Sequence, residues 1–402
     1  MAAGKPEPAR GATPVIEHTS GRTTLNDPEA RIPRQEDVDL LWSAASPYPD
    51  LQRVATAAQA ADVPYVLETA VSHRVASLVL RALRAAGVEV DPRSTWAVSQ
   101  VSAWEAHAAL ALPVATRTAL APLKEEGLAP LLLKGLALVH RYPSPLARPM
   151  DDIDLLLPPR LTQWAAAVLK RGGWVPGKHT GTDPRYDLVF RHPSAPGVPL
   201  ELHFEFIEWR ERPPSLEGEQ LWAARVPTEV FGEPAYVLPP ELELMTLIIH
   251  AAKGFHLFDR LLWAADLVVA SAATPLNWDE VTRLATLTRR RVATAVALRL
   301  AERLGANVPR ELLEITPVLA RARAVGALLD PARPFMPRTR PWWVSYALVD
   351  TVGAKSKLAF GELVRPSRNK RRSDVVGDLA RLVLEGGPAL ARARFWPDRE
   401  KP

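Results

Sequence analysis

The sequence predicts an α+β protein, with a small α/β core set between an N-terminal and a C-terminal helical region. Three observations carry this reading. Helical periodicity runs from Val38 to about Glu126. The texture changes at Pro130 to short apolar runs separated by turn residues, as strands would give. Beyond Pro239-Pro240 the helical texture returns and continues nearly to the end of the 402 residues. A hydrophobic fraction of 47% with 24% charged residues excludes a chain disordered throughout, because this much apolar surface offsets the entropy of ordering. There is no cysteine, which excludes disulfides, thiolate zinc sites, thiol-ligated iron–sulfur clusters and a cysteine nucleophile. The opening MAAGKPEPARGATP lacks the apolar stretch of a secretory signal, and Leu261–Ala273 is too short to cross a bilayer and is interrupted by Asp266. The expectation is a soluble, cytoplasmic protein with no membrane partner.

Taken in order, residues 1–35 are rich in Pro, Gly, Thr and charge and read as a disordered tail. Residues 36–127 form the N-terminal helical region. Val66, Ala70, His73, Ala76, Leu80 and Leu83 recur at three- and four-residue steps, and Asp91-Pro92-Arg93-Ser94 opens an alanine-rich segment interrupted at Pro113. The core spans 128–238. Leu131-Leu132-Leu133 is a buried strand ending in a Lys134-Gly135 turn, and Leu136–Tyr142 is a short amphipathic block. Pro145–Pro158 holds a second strand with charges at its start. Leu161–Arg171 is a helix stopped by Gly172-Gly173, and Tyr186–Arg191 and Pro199–Ile207 are further strands. Residues 239–364 form the C-terminal helical region, opened by Pro240 in the first turn of a helix carrying Leu242, Met245, Ile248 and Ile249. Residues 365–402 form a basic segment that holds most of the +5 net charge, including Arg368-Asn369-Lys370-Arg371-Arg372. The 39 prolines punctuate these elements.

The chemistry lies in the core. Side chains at i and i+2 of a strand share a face, so Asp152, Asp154 and Leu156 lie opposite Asp151, Ile153, Leu155 and Leu157. In Pro199–Ile207, Leu200, Leu202, Phe204 and Phe206 form one face, and Glu201, His203 and Glu205 the other. If the two strands are neighbours, Glu201 adds a third carboxylate to the Asp152/Asp154 pair. Three such acids repel one another unless a proton or cation intervenes, and they suit two Mg²⁺ ions for in-line displacement at phosphorus. Either strand alone also fits an ordinary sheet with one solvated face. His250 and His256 lack metalloprotease spacing, so zinc is not expected there, and His250 reads as a core histidine. Asp266, an acid on an apolar helix face, is expected to pair with His250 or a basic residue. Lys253 stands at a helix C-terminus, where a cation compensates the dipole, or lines the cleft. No P-loop or dinucleotide-binding glycine motif occurs at a strand–helix junction.

Leu132-Leu133-Lys134-Gly135 followed by Arg148-Pro149-Met150-Asp151-Asp152-Ile153-Asp154-Leu155-Leu156 resembles the signature of the uncharacterised nucleotidyltransferase family, within the DNA polymerase β-like nucleotidyltransferase superfamily. Glu201-Leu202-His203-Phe204 is similar to its third motif, and His250 and Leu262–Leu267 resemble its C-terminal part. The resemblance covers about residues 125–270. It implies a small mixed-sheet nucleotidyltransferase core, with Asp152 and Asp154 as the metal-binding pair and Glu201 as third acid and proton acceptor. It further implies that Lys134, Gly135 and Arg148 bind the nucleotide, Arg148 by clamping a phosphate. His203, Glu205 and Lys253 would flank these residues. The wider superfamily carries Gly-Ser or Gly-Gly at the turn, where this chain has Gly135-Leu136 after Lys134.

The function so implied is Mg²⁺- or Mn²⁺-dependent transfer of NMP from an NTP donor to a hydroxyl or phosphate acceptor. That acceptor could be a small molecule, a protein or RNA. Two other readings share the motifs: a non-catalytic nucleotide- or partner-binding member of the fold, and an RNA-binding protein gripping phosphates through residues 365–402.

Overall fold

The computed structural model describes residues 33–177, 187–207, 216–253, 256–272 and 275–314, with Leu348 and Asp350. The expected tail and the basic segment 365–402 lie outside the described residues, except for the tail's last positions, 33–35. Helices α1 (Gln35–Ala44), α2 (Leu51–Ala58), α3 (Val63–Ser72) and α4 (Ala76–Ala85) come first. Two of their starts are written in the sequence: Asp50 accepts from the Gln52 and Arg53 N–H groups, and Asp62 from that of Tyr65. α5 (Pro92–Glu125) then runs 34 residues without a break at Pro113. A proline inside a helix removes one hydrogen bond. Here Leu112, Ala115, Ala119, Leu120 and Leu123 form one continuous buried stripe across it, and their burial holds the helix together.

The core is a mixed sheet. β1 (Leu131–Leu132) leads into the short α6 (Lys134–Leu138), followed by β2 (Ile153–Leu156), α7 (Pro159–Arg171) and β3 (Val175–Pro176). β4 (Asp187–His192), β5 (Ala195–His203), α8 (Gly218–Ala223), β6 (Val226–Val230) and β7 (Glu233–Val237) complete it. The seven strands lie in the order β3-β4-β5-β2-β1-β7-β6. β2 runs parallel to β5, with Asp154 opposite Glu201 and Leu156 opposite His203, and antiparallel to β1. The β6–β7 hairpin and β3 go beyond the strands read from the sequence. The hairpin turns at Phe231 and Gly232, both in the left-handed region at φ 51° and 82°. A phenylalanine there gives no turn signal in sequence.

Alternation sends the two faces of the sheet into different cores. Ile153, Leu155, Leu200 and Leu202 pack with Leu120 and Leu123 of α5 and Leu169 of α7. Leu131, Leu133 and Leu156 face the other way, into a core shared with α9 (Pro240–Ala252) and α10 (Leu261–Ala272). The alternation expected to reach Ile207 stops at His203, where β5 ends. Phe206 and Ile207 then join the α9–α10 core, opposite to Leu200 and Leu202. α11 (Trp278–Leu287), α12 (Arg291–Arg303) and α13 (Arg310–Glu314) follow. No helix among the described residues is long and apolar enough to cross a membrane.

Candidate active site

Asp154 is the hub of a polar cluster on the α9–α10 side of the sheet. Lys134 begins α6 directly after β1 and has φ 52°, a left-handed conformation that non-glycine residues rarely adopt. The Leu133 N–H donates to the Asp154 carbonyl at 3.1 Å, which ties the turn to β2. Bent back this way, the Lys134 ammonium donates to Asp154 Oδ1 at 2.6 Å. His203 reaches the same oxygen through Nε2 at 2.7 Å and stands 3.4 Å from Glu201 Oε2. Parallel pairing of Asp154 with Glu201 is what brings these groups together.

Charge sharing sets the protonation states. Burial opposes the Asp154 carboxylate, but Lys134 and the hydrogen bond from His203 outweigh it and hold its pKa well below the usual range. Burial likewise opposes the Lys134 ammonium, and Asp154, Glu201 and Asp152 overcome it, raising its pKa. Glu201 is held low against burial by its contact with His203. His203 is raised: burial and Lys134 work against its charge, and the bonds to Asp154 and Glu201 prevail. Asp152, half-buried beside these groups, is pushed up to about 7 by burial and the Asp154 charge, with Lys134 opposing. Three carboxylates thus crowd around Lys134 and His203, and Asp152 feels the repulsion most.

Asp154, Glu201 and His203 each offer one ligand atom, all within 4.8 Å of one another. Asp152 is outside that compact set but adds its charge to it. The donors are mainly carboxylate oxygens, and a bound cation would relieve the repulsion and burial that disfavour the Asp152 carboxylate, so the residues fit a hard divalent ion.

The remaining expected residues lie outside this cluster. Arg148 is 5% exposed, and its guanidinium makes a two-point clamp on Asp266 rather than facing a phosphate. Nε and Nη2 donate to Oδ1 and Oδ2, both at 2.8 Å, and the Tyr142 hydroxyl donates to Oδ1 at 2.6 Å. Asp266 thus meets the basic partner that its position on an apolar face required. Gly135 is glycine because of this arrangement: a Cβ there would come within 2.1 Å of Arg148 Nη1 and 2.9 Å of Met150 Sδ. Glu205 lies beyond the end of β5 and accepts from the Gly218 N–H at 2.9 Å. Lys253 caps the C-terminal end of α9, half-buried. His250 is buried in the core face of α9.

A contribution from the N-terminal helices was not read from the sequence. Arg74, between α3 and α4 at φ 58°, makes a two-point ion pair with Asp151, with Nη2 to Oδ1 at 2.7 Å. Its neighbour His73 accepts at its carbonyl from the Leu262 N–H of α10 at 3.3 Å. Nothing local marks Arg74, because its partner lies 77 residues away.

Fold and site define a class: a mixed sheet whose parallel central strands bring carboxylates together beside a lysine turn, ready for a metal. The chain belongs to the uncharacterised nucleotidyltransferase family, whose model matches residues 59–306, more than half of its length. No curated protein and no solved structure matches it.

Proposed function

We propose that the protein transfers a nucleoside monophosphate from an NTP to a hydroxyl or phosphate acceptor, with Mg²⁺ or Mn²⁺ held by Asp152, Asp154 and Glu201; the acceptor oxygen bonds to the α-phosphorus as the α–β phosphoanhydride bond breaks and pyrophosphate leaves. The observation that carries this is the convergence of Asp154, Glu201 and His203 on one another beside Lys134. Family membership supports the reaction class. The bound cation would neutralise the triphosphate and make the acceptor oxygen a better nucleophile.

The chain's own residues do the rest. Lys134 holds a fixed positive charge at the mouth of the acid cluster, where it can turn from Asp154 to a phosphate oxygen. Glu201, ionised at neutral pH, accepts a hydrogen bond or proton from the acceptor hydroxyl. His203 fixes the orientation of Asp154 and Glu201 from below. Arg148 acts indirectly, by filling the space under Gly135 and anchoring the turn to α10. Residues 128–238 serve as the catalytic core, and the helices on either side of it, within 36–127 and 239–314, form the acceptor side.

The test is titration calorimetry of the full chain with Mn²⁺, with and without each NTP, together with incubation with α-labelled NTPs. Metal binding that tightens with nucleotide is expected. Asp152→Ala with Asp154→Ala should abolish both binding and label transfer; unchanged behaviour of that double variant sinks the reading.

A further inference from the structure

The connection from α9 to α10 is held in an unusual backbone. Leu257 and Phe258 are consecutive non-glycine residues in the left-handed region, at φ 44° and 52°. Such conformations persist only where their surroundings enforce them. Here both side chains are buried, and the Phe258 N–H donates to the Ala251 carbonyl at 2.8 Å. The His256 N–H donates to Lys253 at 2.9 Å, and that of Asp259 to His256 at 2.8 Å. At residues 256–259 the connection thus folds back onto the C-terminal end of α9.

Its effect is to gather three rings. His256 lies 4.7 Å from His250 and 4.9 Å from Trp263 between ring centroids, and Trp263 meets His250 edge-on at 5.3 Å. Trp263 Nε1–H donates to Asp259 Oδ1 at 3.0 Å, which satisfies the indole's polar edge and fixes its plane. His250 is the buried base of the group, and His256 and Trp263 are partly exposed. Burial, then Lys253 and Lys134, drive the pKa of both imidazoles well below the usual value, so the rings are uncharged. A neutral surface of this kind has nothing for a phosphate but suits a flat heteroaromatic ring.

Its position supplies the rest. Trp263 is one helical turn before Asp266 on α10, and Asp266 holds Arg148 beneath Gly135. Both histidines lie within electrostatic reach of Lys134, and His250 also of His203. α10 also packs against α6, which Lys134 begins, so the rings stand on the α10 side of that lysine.

We propose that His256 and Trp263 form the platform on which the base of the donor nucleotide stacks, with the triphosphate directed toward Lys134 and the acids. This rests on the nucleotidyltransferase reading above and adds the recognition of the base. Stacking uses the π-face that every base has, so the site accepts all four bases and prefers the larger purines.

The test is calorimetry on the full chain with Mn²⁺, comparing the four NTPs with inorganic tripolyphosphate. The wild type should bind NTPs more tightly than tripolyphosphate. His256→Ala should weaken NTP binding by about 5- to 150-fold and leave tripolyphosphate binding unchanged. Trp263→Phe, which keeps a ring, should retain most of the affinity and lose the NTP-induced quenching of tryptophan fluorescence. If the wild type binds NTPs no better than tripolyphosphate, or His256→Ala leaves NTP affinity intact, the platform is refuted while the metal–phosphate centre stands. If neither compound binds, the nucleotidyltransferase reading itself falls.

Discussion

Removing Asp266 should be among the most damaging single changes in the chain. In Asp266→Ala the Arg148 guanidinium stays in a site only 5% exposed with no carboxylate to receive it. Breaking a buried ion pair from one side costs about 3–5 kcal/mol, because the remaining charge is left uncompensated. The Tyr142 hydroxyl loses its acceptor at the same time, a loss of about 1–3 kcal/mol when the group stays buried. Both bonds converge on one carboxylate, so the losses overlap, and about 4–6 kcal/mol is expected. For a chain of this size that is a fall of roughly 5–7 °C in Tm. Urea denaturation and a thermal melt measure it directly. The mechanism also fixes the rescue: Arg148→Met, Asp266→Leu and Tyr142→Phe together remove every polar group and should recover most of the loss. If Asp266→Ala costs less than about 1 kcal/mol, or the triple variant is as unstable as the single one, the loss does not come from a stranded buried charge.

Two further expectations concern charge. Lys134→Ala removes the ammonium that shares Asp154 Oδ1 at 2.6 Å, so Mn²⁺ should bind more tightly to the variant in calorimetry while nucleotidyl transfer falls about 10²–10³-fold; weaker metal binding would show that Lys134 supports the cation site rather than competing with it. Asp37, 1% exposed at its side chain, is opposed by burial, but Arg34 and the Asp62 N–H hold its pKa below the ordinary carboxylate value of about 3.9. Because the folded pKa is the lower one, its contribution is complete above the unfolded value and is lost as pH falls through the folded one; Asp37→Asn should cost about 1–3 kcal/mol at pH 7 and flatten the acid limb of a stability–pH profile, and an unaltered limb would contradict this.

Local pattern was enough for part of this architecture. Period-two alternation in Pro199–Ile207 separated Glu201 and His203 from Leu200 and Leu202, and the parallel register then set Glu201 beside Asp154. Pro239-Pro240 marked the start of α9 because proline tolerates a first helical turn and little else in a helix. Arg148 shows where such reading stops. A guanidinium close to two aspartates in sequence looks the same whether it turns to a ligand or to the core, and Asp266, 118 residues on, decides which. Pro113 and Phe231 mislead for a related reason: burial along α5 and pairing of β6 with β7 override the local preference of one residue. The ring cluster is legible only in space, since His250, His256 and Trp263 carry no helical or strand spacing that joins them.

The salt link from Arg74 to Asp151, and the bond from Leu262 to the His73 carbonyl, have a bearing on how this protein can be inherited and cut. A loop from the first helices braces the segment that carries the acids, and α5 shares with α7 the packing of one side of the sheet. The sheet is therefore no detachable cassette: a gene fragment encoding it alone would expose a wall of leucines and release the acid-bearing loop. The family match, which starts at residue 59 inside those helices and runs to 306, takes in Arg74 and α5 together with the sheet.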